Sequence, residues 1–145
     1  MYKKILIGFD SSEGAKSALI EAVKLAKALG SELTAIWVRG SLPHFPETVD
    51  EVEEENSSAN SFFKKLTKEI HSISNQLGKE IKIVCKSGNP AKTIMEFSKV
   101  NDFDLIILGS RGASGLWGNV LGHVSDRVSE NAYCSVLIVR KNKQK

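Results

Sequence analysis

From Glu13 onward, apolar residues fall at Ala15, Ala18, Leu19, Ala22, Val23, Ala26 and Leu29. Steps of three and four put them on one side of a helix. Ahead of it, Lys4-Ile-Leu-Ile-Gly8-Phe9 is a short apolar run ending in Asp10-Ser11-Ser12, which predicts a strand and a turn. Gly30 stands where a glycine in the left-handed conformation would close the helix. Leu33-Thr-Ala-Ile-Trp-Val38 then reads as a second strand.

The alternation continues to the end of the chain. Residues 39–49 hold two of the three prolines and predict a loop. Residues 50–77 begin acidic, Asp50-Glu-Val-Glu-Glu-Glu55, and turn basic at Lys64, Lys65 and Lys68, an order that suits a helix dipole. Phe62, Phe63, Leu66, Ile70, Ile73 and Leu77 give that helix a buried stripe, and Gly78 ends it. Ile81, Ile83 and Cys85 alternate with Lys82 and Val84 in a third strand. Gly88-Asn-Pro90 is a turn, and Pro90 fits a first helical position. Ile94, Met95, Phe97, Ser98 and Val100 belong to the helix that follows. Residues 104–108 form the fourth strand. Leu121, Val124, Val128 and Ala132 mark a fourth helix, and Val136-Leu-Ile-Val139 a fifth strand.

Four strand–helix pairs followed by a last strand argue for an α/β domain in three layers, an open parallel five-stranded sheet with helices on both faces. A chain of 145 residues suits one such domain, spanning 1–145. Two strand ends carry special residues, Gly8-Phe-Asp-Ser-Ser12 and Gly109-Ser-Arg-Gly112. If these neighbour each other, the Rossmann-like order 3-2-1-4-5 follows, with a ligand cleft between strands 1 and 4.

Composition narrows the picture little. The hydrophobic fraction of 41% is ordinary for a globular protein. No segment reaches the roughly 18 apolar residues of a membrane span. Met1-Tyr-Lys-Lys-Ile-Leu-Ile-Gly8 does not read as a signal peptide, so a cytoplasmic location and no membrane partner are expected. The net charge of +3 resides in the tail, where Arg140, Lys141, Lys143 and Lys145 supply +4 and leave the remainder near −1. A nucleic-acid face would interleave aromatics with its charges; the tail has none, and no nucleic-acid partner is expected. Cys85 and Cys134 have no metal-site or disulfide spacing and read as packing residues. The acidic run 50–55 reads as a solvated helix start.

The chemistry concentrates in Gly109-Ser-Arg-Gly112-Ala-Ser-Gly115-Leu-Trp-Gly118-Asn-Val-Leu-Gly122-His123-Val-Ser125. It follows a buried strand and leads into a helix. Glycines let a backbone bend and approach a ligand closely, and a helix start favours an anion such as phosphate. Asp10, on the facing strand end, reads either as a turn or cap residue or as a contact for ribose hydroxyls or an adenine amino group. Arg111 reads either as a phosphate clamp or as a solvated side chain. Neither the P-loop pattern nor the dinucleotide fingerprint Gly-x-Gly-x-x-Gly occurs.

Gly109-x2-Gly112-x9-Gly122 resembles the nucleotide signature of the universal stress protein family, Gly-x2-Gly-x9-Gly-Ser/Thr. Lys3-Lys-Ile-Leu-Ile-Gly-Phe-Asp10-Ser-Ser is similar to that family's opening strand, Ala35-Ile-Trp-Val38 to its second, Gly88-Asn-Pro-Ala91 to its usual turn and Ser135-Val-Leu-Ile-Val-Arg140 to its closing strand. In ATP-binding members, the resemblance implies, Gly8, Phe9 and Asp10 contact the adenosine and the Val38 backbone meets adenine. Leu108, Gly109, Arg111, Gly112, Gly122, His123, Val124 and Ser125 would lie along the phosphates. It also implies a homodimer made through strand 136–139. ATP is the expected ligand, with AMP or ADP as alternatives and Mg2+ accompanying the phosphates.

One position departs from the signature: His123 stands where the family has Ser or Thr. A hydroxyl donor is lost, and an imidazole takes its place as a hydrogen-bond donor. Trp117 is large for a loop that closes over phosphate. No general base and no acidic magnesium ligands can be assigned, so the expected role is a nucleotide-dependent switch in stress response rather than an enzyme. The alternatives are a homodimeric interaction module that binds no nucleotide, and a slow ATP hydrolase.

Overall fold

The computed structural model of the chain describes residues 1–40, 49–110 and 116–140; side chains are described in the second helix from Ser57 and in the fourth from Val124. The elements are β1 (Lys4–Gly8), α1 (Glu13–Leu29), β2 (Glu32–Arg39), α2 (Val49–Leu77), β3 (Lys82–Ser87), α3 (Pro90–Val100), β4 (Leu105–Gly109), α4 (Leu116–Asn131) and β5 (Ser135–Val139). All strand pairs are parallel, as the alternation of elements predicts, and the sheet order is β3-β2-β1-β4-β5, the one that follows when the ends of strands 1 and 4 are neighbours.

Side chains alternating along each strand explain the two cores. Ile5, Ile7, Leu33, Ala35, Trp37, Leu105 and Ile107 face one side, where α1 and α2 cover them with Ala15, Ala18, Leu19, Ala22, Leu66 and Ile70. Leu6, Ile36, Val38, Ile106 and Leu108 face the other, beneath Ala91 and Ile94 of α3 and Val124 and Val128 of α4. Central strands buried on both faces read as continuous apolar runs. Each large aliphatic side chain so buried contributes about 1.5–3 kcal/mol.

Helix ends follow local chemistry. Ser12 caps α1, its hydroxyl oxygen accepting from the Ala15 N–H, and Gly30 ends it at φ 68°. Asn89 caps α3 in the same way, accepting from Lys92, with Pro90 in the first turn. The C-terminus of α2 is closed by Lys27 Nζ, which donates to the Leu77 carbonyl at 2.8 Å. At the opposite end of the sheet from the glycine turns, Asp104 accepts from the N–H groups of Lys3 (2.8 Å) and Lys4 (3.1 Å) and fastens β4 to β1. That residue was expected inside the strand; its carboxylate instead fastens the start of the pair, and the ladder begins at Leu105.

Two expectations change. Cys85 is exposed and Cys134 half-buried, because the edge strands β3 and β5 are covered incompletely; Cys85 is no packing residue. The fourth helix begins at Leu116, so Gly118, Gly122 and His123 lie within it rather than at its start. A helix tolerates interior glycine at a cost of about 1 kcal/mol each. Residues 111–115, and most of the predicted loop 39–49, lie outside the described residues.

Candidate functional site

The sheet reverses its order at β1, which pairs β2 on one side and β4 on the other. Crossovers leave the β1 and β4 ends toward opposite faces, and the carboxyl ends of the two strands open a crevice between them. The residues expected from sequence at this edge are Gly8 at the end of β1, Phe9 and Asp10 after it, Val38 on β2, Leu108 and Gly109 on β4, and Val124 and Ser125 on α4. The fold brings all eight to the same end of the sheet.

The glycines there are dictated by close packing. A Cβ on Gly8 would stand 2.6 Å from Leu108 Cδ2. A Cβ on Gly109 would stand 2.8 Å from the carbonyl oxygen of Gly14 and 2.9 Å from its carbon. The end of β4 thus lies against the first turn of α1, with backbone on backbone. Nothing but glycine fits at position 109 without moving that helix.

Val38, Leu108 and Val124 are buried in one cluster and form the apolar floor on the α3/α4 side. Phe9 is buried on the other face, packed with α1 and α2, and its N–H donates to the Ile36 carbonyl at 2.9 Å. Its side chain therefore supports the turn from behind. Ser125 is buried, and its hydroxyl donates to the Gly109 carbonyl at 2.7 Å. It was expected along the phosphates; here its proton is spent on holding the end of β4 to α4.

Asp10 is the polar centre of the crevice edge. It is 9% exposed. Its Oδ1 accepts the N–H of Ser12 at 3.0 Å, while Oδ2 is buried with no hydrogen-bond partner among the described residues. A buried carboxylate oxygen without a donor costs on the order of 1–3 kcal/mol, so an unpaired one is an unusual feature that a donor from outside the chain would relieve. Between Asp10 and Ser12, Ser11 adopts φ 70°, a conformation that side chains other than glycine rarely take. Its hydroxyl lies 2.8 and 2.6 Å from the two carboxylate oxygens of Glu69 on α2.

Glu69 was invisible to sequence reasoning. It stands 58 positions after Ser11 on an exposed-looking helical stretch, and only the packing of Leu66 and Ile70 against the sheet turns it to the β1–α1 turn. Behind the same turn, Trp37 stacks on Phe63 with centroids 6.1 Å apart and tilts against Phe62 at 5.0 Å.

Arg111 and Gly112 lie outside the described residues. Gly122 and His123 lie in the body of α4, and only the first four N–H groups of a helix lack an intrahelical acceptor. In this conformation the backbone N–H groups at 122 and 123 are therefore not the free donors that a helix start would supply. Among the described residues, no group of three or more His, Cys, Asp or Glu side chains is placed to hold a metal ion. No helix among them is long and apolar enough to cross a membrane.

An open parallel sheet whose order reverses at β1, with helices on both faces, defines a doubly wound α/β domain. The chain belongs to the universal stress protein family, whose profile matches residues 1–140. A universal stress protein from Methanocaldococcus jannaschii is 32% identical over 151 aligned positions, covering 99% of this chain and 85% of that one. Among solved structures, the universal stress protein UspA from Lactobacillus plantarum is 27% identical with a TM-score of 0.81, covering 96% of this chain and 98% of its own. A universal stress protein in complex with cAMP shares the fold at 22% identity and a TM-score of 0.74, covering 97% and 99% of the two chains.

Proposed function

We propose that this chain binds an adenine nucleotide in the crevice between β1 and β4, with ATP the primary ligand and AMP and ADP alternatives, and that occupancy switches its interactions in a stress response in the cytosol. The observation that carries the reading is the unpaired, buried Oδ2 of Asp10. A ribose hydroxyl or an adenine amino group donating to it would satisfy the orphan and orient the nucleoside over Val38 and Leu108. A structural relative with the same fold was solved with cAMP, which carries the same adenosine.

Gly8 lets β1 pack closely on Leu108, Gly109 lets the end of β4 lie against the first turn of α1, and Ser125 holds the Gly109 peptide in place. Phe9 and Val124 pack beneath the two ends. Arg111, Gly112, Gly122 and His123 enter the proposal through the sequence signature, on the phosphate side, with Mg2+ accompanying the phosphates. The proposed activity is binding and release rather than turnover.

The test is calorimetric titration of ATP with magnesium into the parent, Asp10→Ala, Gly112→Val and Gly122→Val. Micromolar binding to the parent is expected, weakened about 10–100-fold in Asp10→Ala and lost in both glycine variants. A parent that takes up no nucleotide would overturn the reading.

A second reading has its own observation. The edge strand β5 exposes Leu137 at 40%, and an open apolar edge invites pairing with another chain. We propose a homodimer through residues 136–139, related by a two-fold axis. Sedimentation of the parent as a single species near the 15.9 kDa of one chain would refute it.

A further inference from the structure

We infer that Glu69 is a positioning residue for the nucleotide site, acting through Ser11 to aim the carboxylate of Asp10. The inference rests on the proposed role of Asp10 in nucleotide binding.

The β1–α1 turn is built in a fixed order. Phe9 makes the last ladder bond, from its N–H to the Ile36 carbonyl. Asp10 Oδ1 then accepts from the N–H of Ser12, so the side chain of residue 10 and the backbone of residue 12 close a ring around residue 11. An Asx turn of this kind fixes the direction of the carboxylate. With Oδ1 committed, Oδ2 is left buried and unpaired. The ring is closed here with Ser11 at φ 70°.

That conformation is unfavourable for serine, because its Cβ crowds the neighbouring carbonyl. Glycine would adopt it freely. The chain has serine, and a compensating contact is present: both oxygens of Glu69 lie within hydrogen-bonding distance of the Ser11 hydroxyl, at 2.8 and 2.6 Å. A hydrogen bond to an ionised acceptor is roughly twice as strong as a neutral one. Glu69 is itself held, because Leu66 and Ile70, one on each side of it, are fully buried against the sheet. The line of support runs from the α2–sheet interface to Glu69, from Glu69 to Ser11, and from the Ser11 conformation to the carboxylate of Asp10. Helix α2 is thereby tied to the ligand edge, although it contributes no residue to the nucleotide signature.

A role of Glu69 that does not run through Ser11 would make it matter equally whatever stands at position 11. The positioning role makes its effect depend on the strain at Ser11. The experiment is therefore a double-mutant cycle on the full chain, with parent, Glu69→Ala, Ser11→Gly and the double variant. ATP affinity is read by calorimetry, and the exchange rate of the Ser12 amide proton by NMR without ligand. Glu69→Gln, which keeps an acceptor oxygen, serves as the conservative variant.

Glu69→Ala in the serine background should weaken ATP binding about tenfold and speed Ser12 amide exchange by a similar factor. Glu69→Gln should recover most of both. In the Ser11→Gly background, Glu69→Ala should change neither by more than about twofold, since the left-handed turn no longer needs support. Equal losses in the two backgrounds would overturn the inference, as would a Ser12 amide indifferent to Glu69. If the parent bound no ATP, the nucleotide proposal would fail, while the amide exchange would still decide whether Glu69 holds the turn.

Discussion

Ser125, buried on α4, gives its hydroxyl proton to the backbone carbonyl of Gly109 at 2.7 Å. The bond joins the end of β4 to the helix that follows the glycine-rich stretch. Ser125 therefore shapes the site by fixing a peptide. Ser125→Ala leaves a buried carbonyl short of a partner and should cost about 1–2 kcal/mol. Urea unfolding followed by circular dichroism checks this; an unchanged midpoint would mean that the carbonyl finds another donor.

Glycine at 8 and at 109 should respond differently to alanine. At 109 the new methyl meets the Gly14 carbonyl group, 2.8 and 2.9 Å away, and backbone cannot step aside cheaply. At 8 it meets Leu108 Cδ2 at 2.6 Å, the far end of a side chain that can change rotamer. Gly109→Ala should destabilise by about 2–3 kcal/mol and Gly8→Ala by about 1 kcal/mol. The order of the two melting temperatures is the readout, and a reversed order would contradict the packing account.

Asp10 should separate binding from stability. Asp10→Ala removes the proposed ligand acceptor, and ATP affinity should fall by a factor of about 10–100. It also removes an unpaired buried oxygen, which offsets part of the loss of the Ser12 contact. The melting temperature without ligand should therefore drop less than in Ser12→Ala. That variant loses the cap of α1, worth about 1 kcal/mol. A larger drop in Asp10→Ala would assign the carboxylate a purely structural task.

Cys134 should make stability fall at alkaline pH. Burial pushes its thiol above the ordinary range, Asp104 adds to the rise, and a hydrogen bond with Ser98 opposes it. At the more exposed Cys85, partial desolvation raises the thiol in the same direction, against the pull of Arg39. A thiol raised in the folded state leaves stability intact below its unfolded pKa. Stability is then lost as pH climbs through the folded value. Urea midpoints should hold steady from pH 7 to about 8.5 and decline above pH 9. The decline should flatten in Cys85→Ala/Cys134→Ala; an unchanged slope there would place its cause elsewhere.

The order of elements and the two-faced burial of the sheet were legible in the sequence, because both follow from local periodicity. Apolar steps of three and four make α1, and unbroken apolar runs make β1 and β4. Gly30 and Pro90 mark helix ends through conformational preferences spanning at most a few residues. The neighbouring of β1 and β4 could be argued from their unusual ends and from the handedness of crossovers. Asp10 and Gly109 could be singled out for the same reason.

Tertiary structure alone decided what the site residues do. Whether Asp10 keeps an oxygen free depends on which donors the folded turn supplies, and Ser12 supplies only one. Ser125 was legible as part of a motif, yet its bond to Gly109 requires α4 to lie against the end of β4. That Gly109 must be glycine follows from the approach of Gly14, 95 positions earlier. Glu69 reaches Ser11 only because α2 settles its apolar stripe on the sheet. Local sequence sets which conformations a segment prefers. Contacts between distant segments exist only once the hydrophobic faces have chosen their partners, and there the orientation of each polar atom is decided.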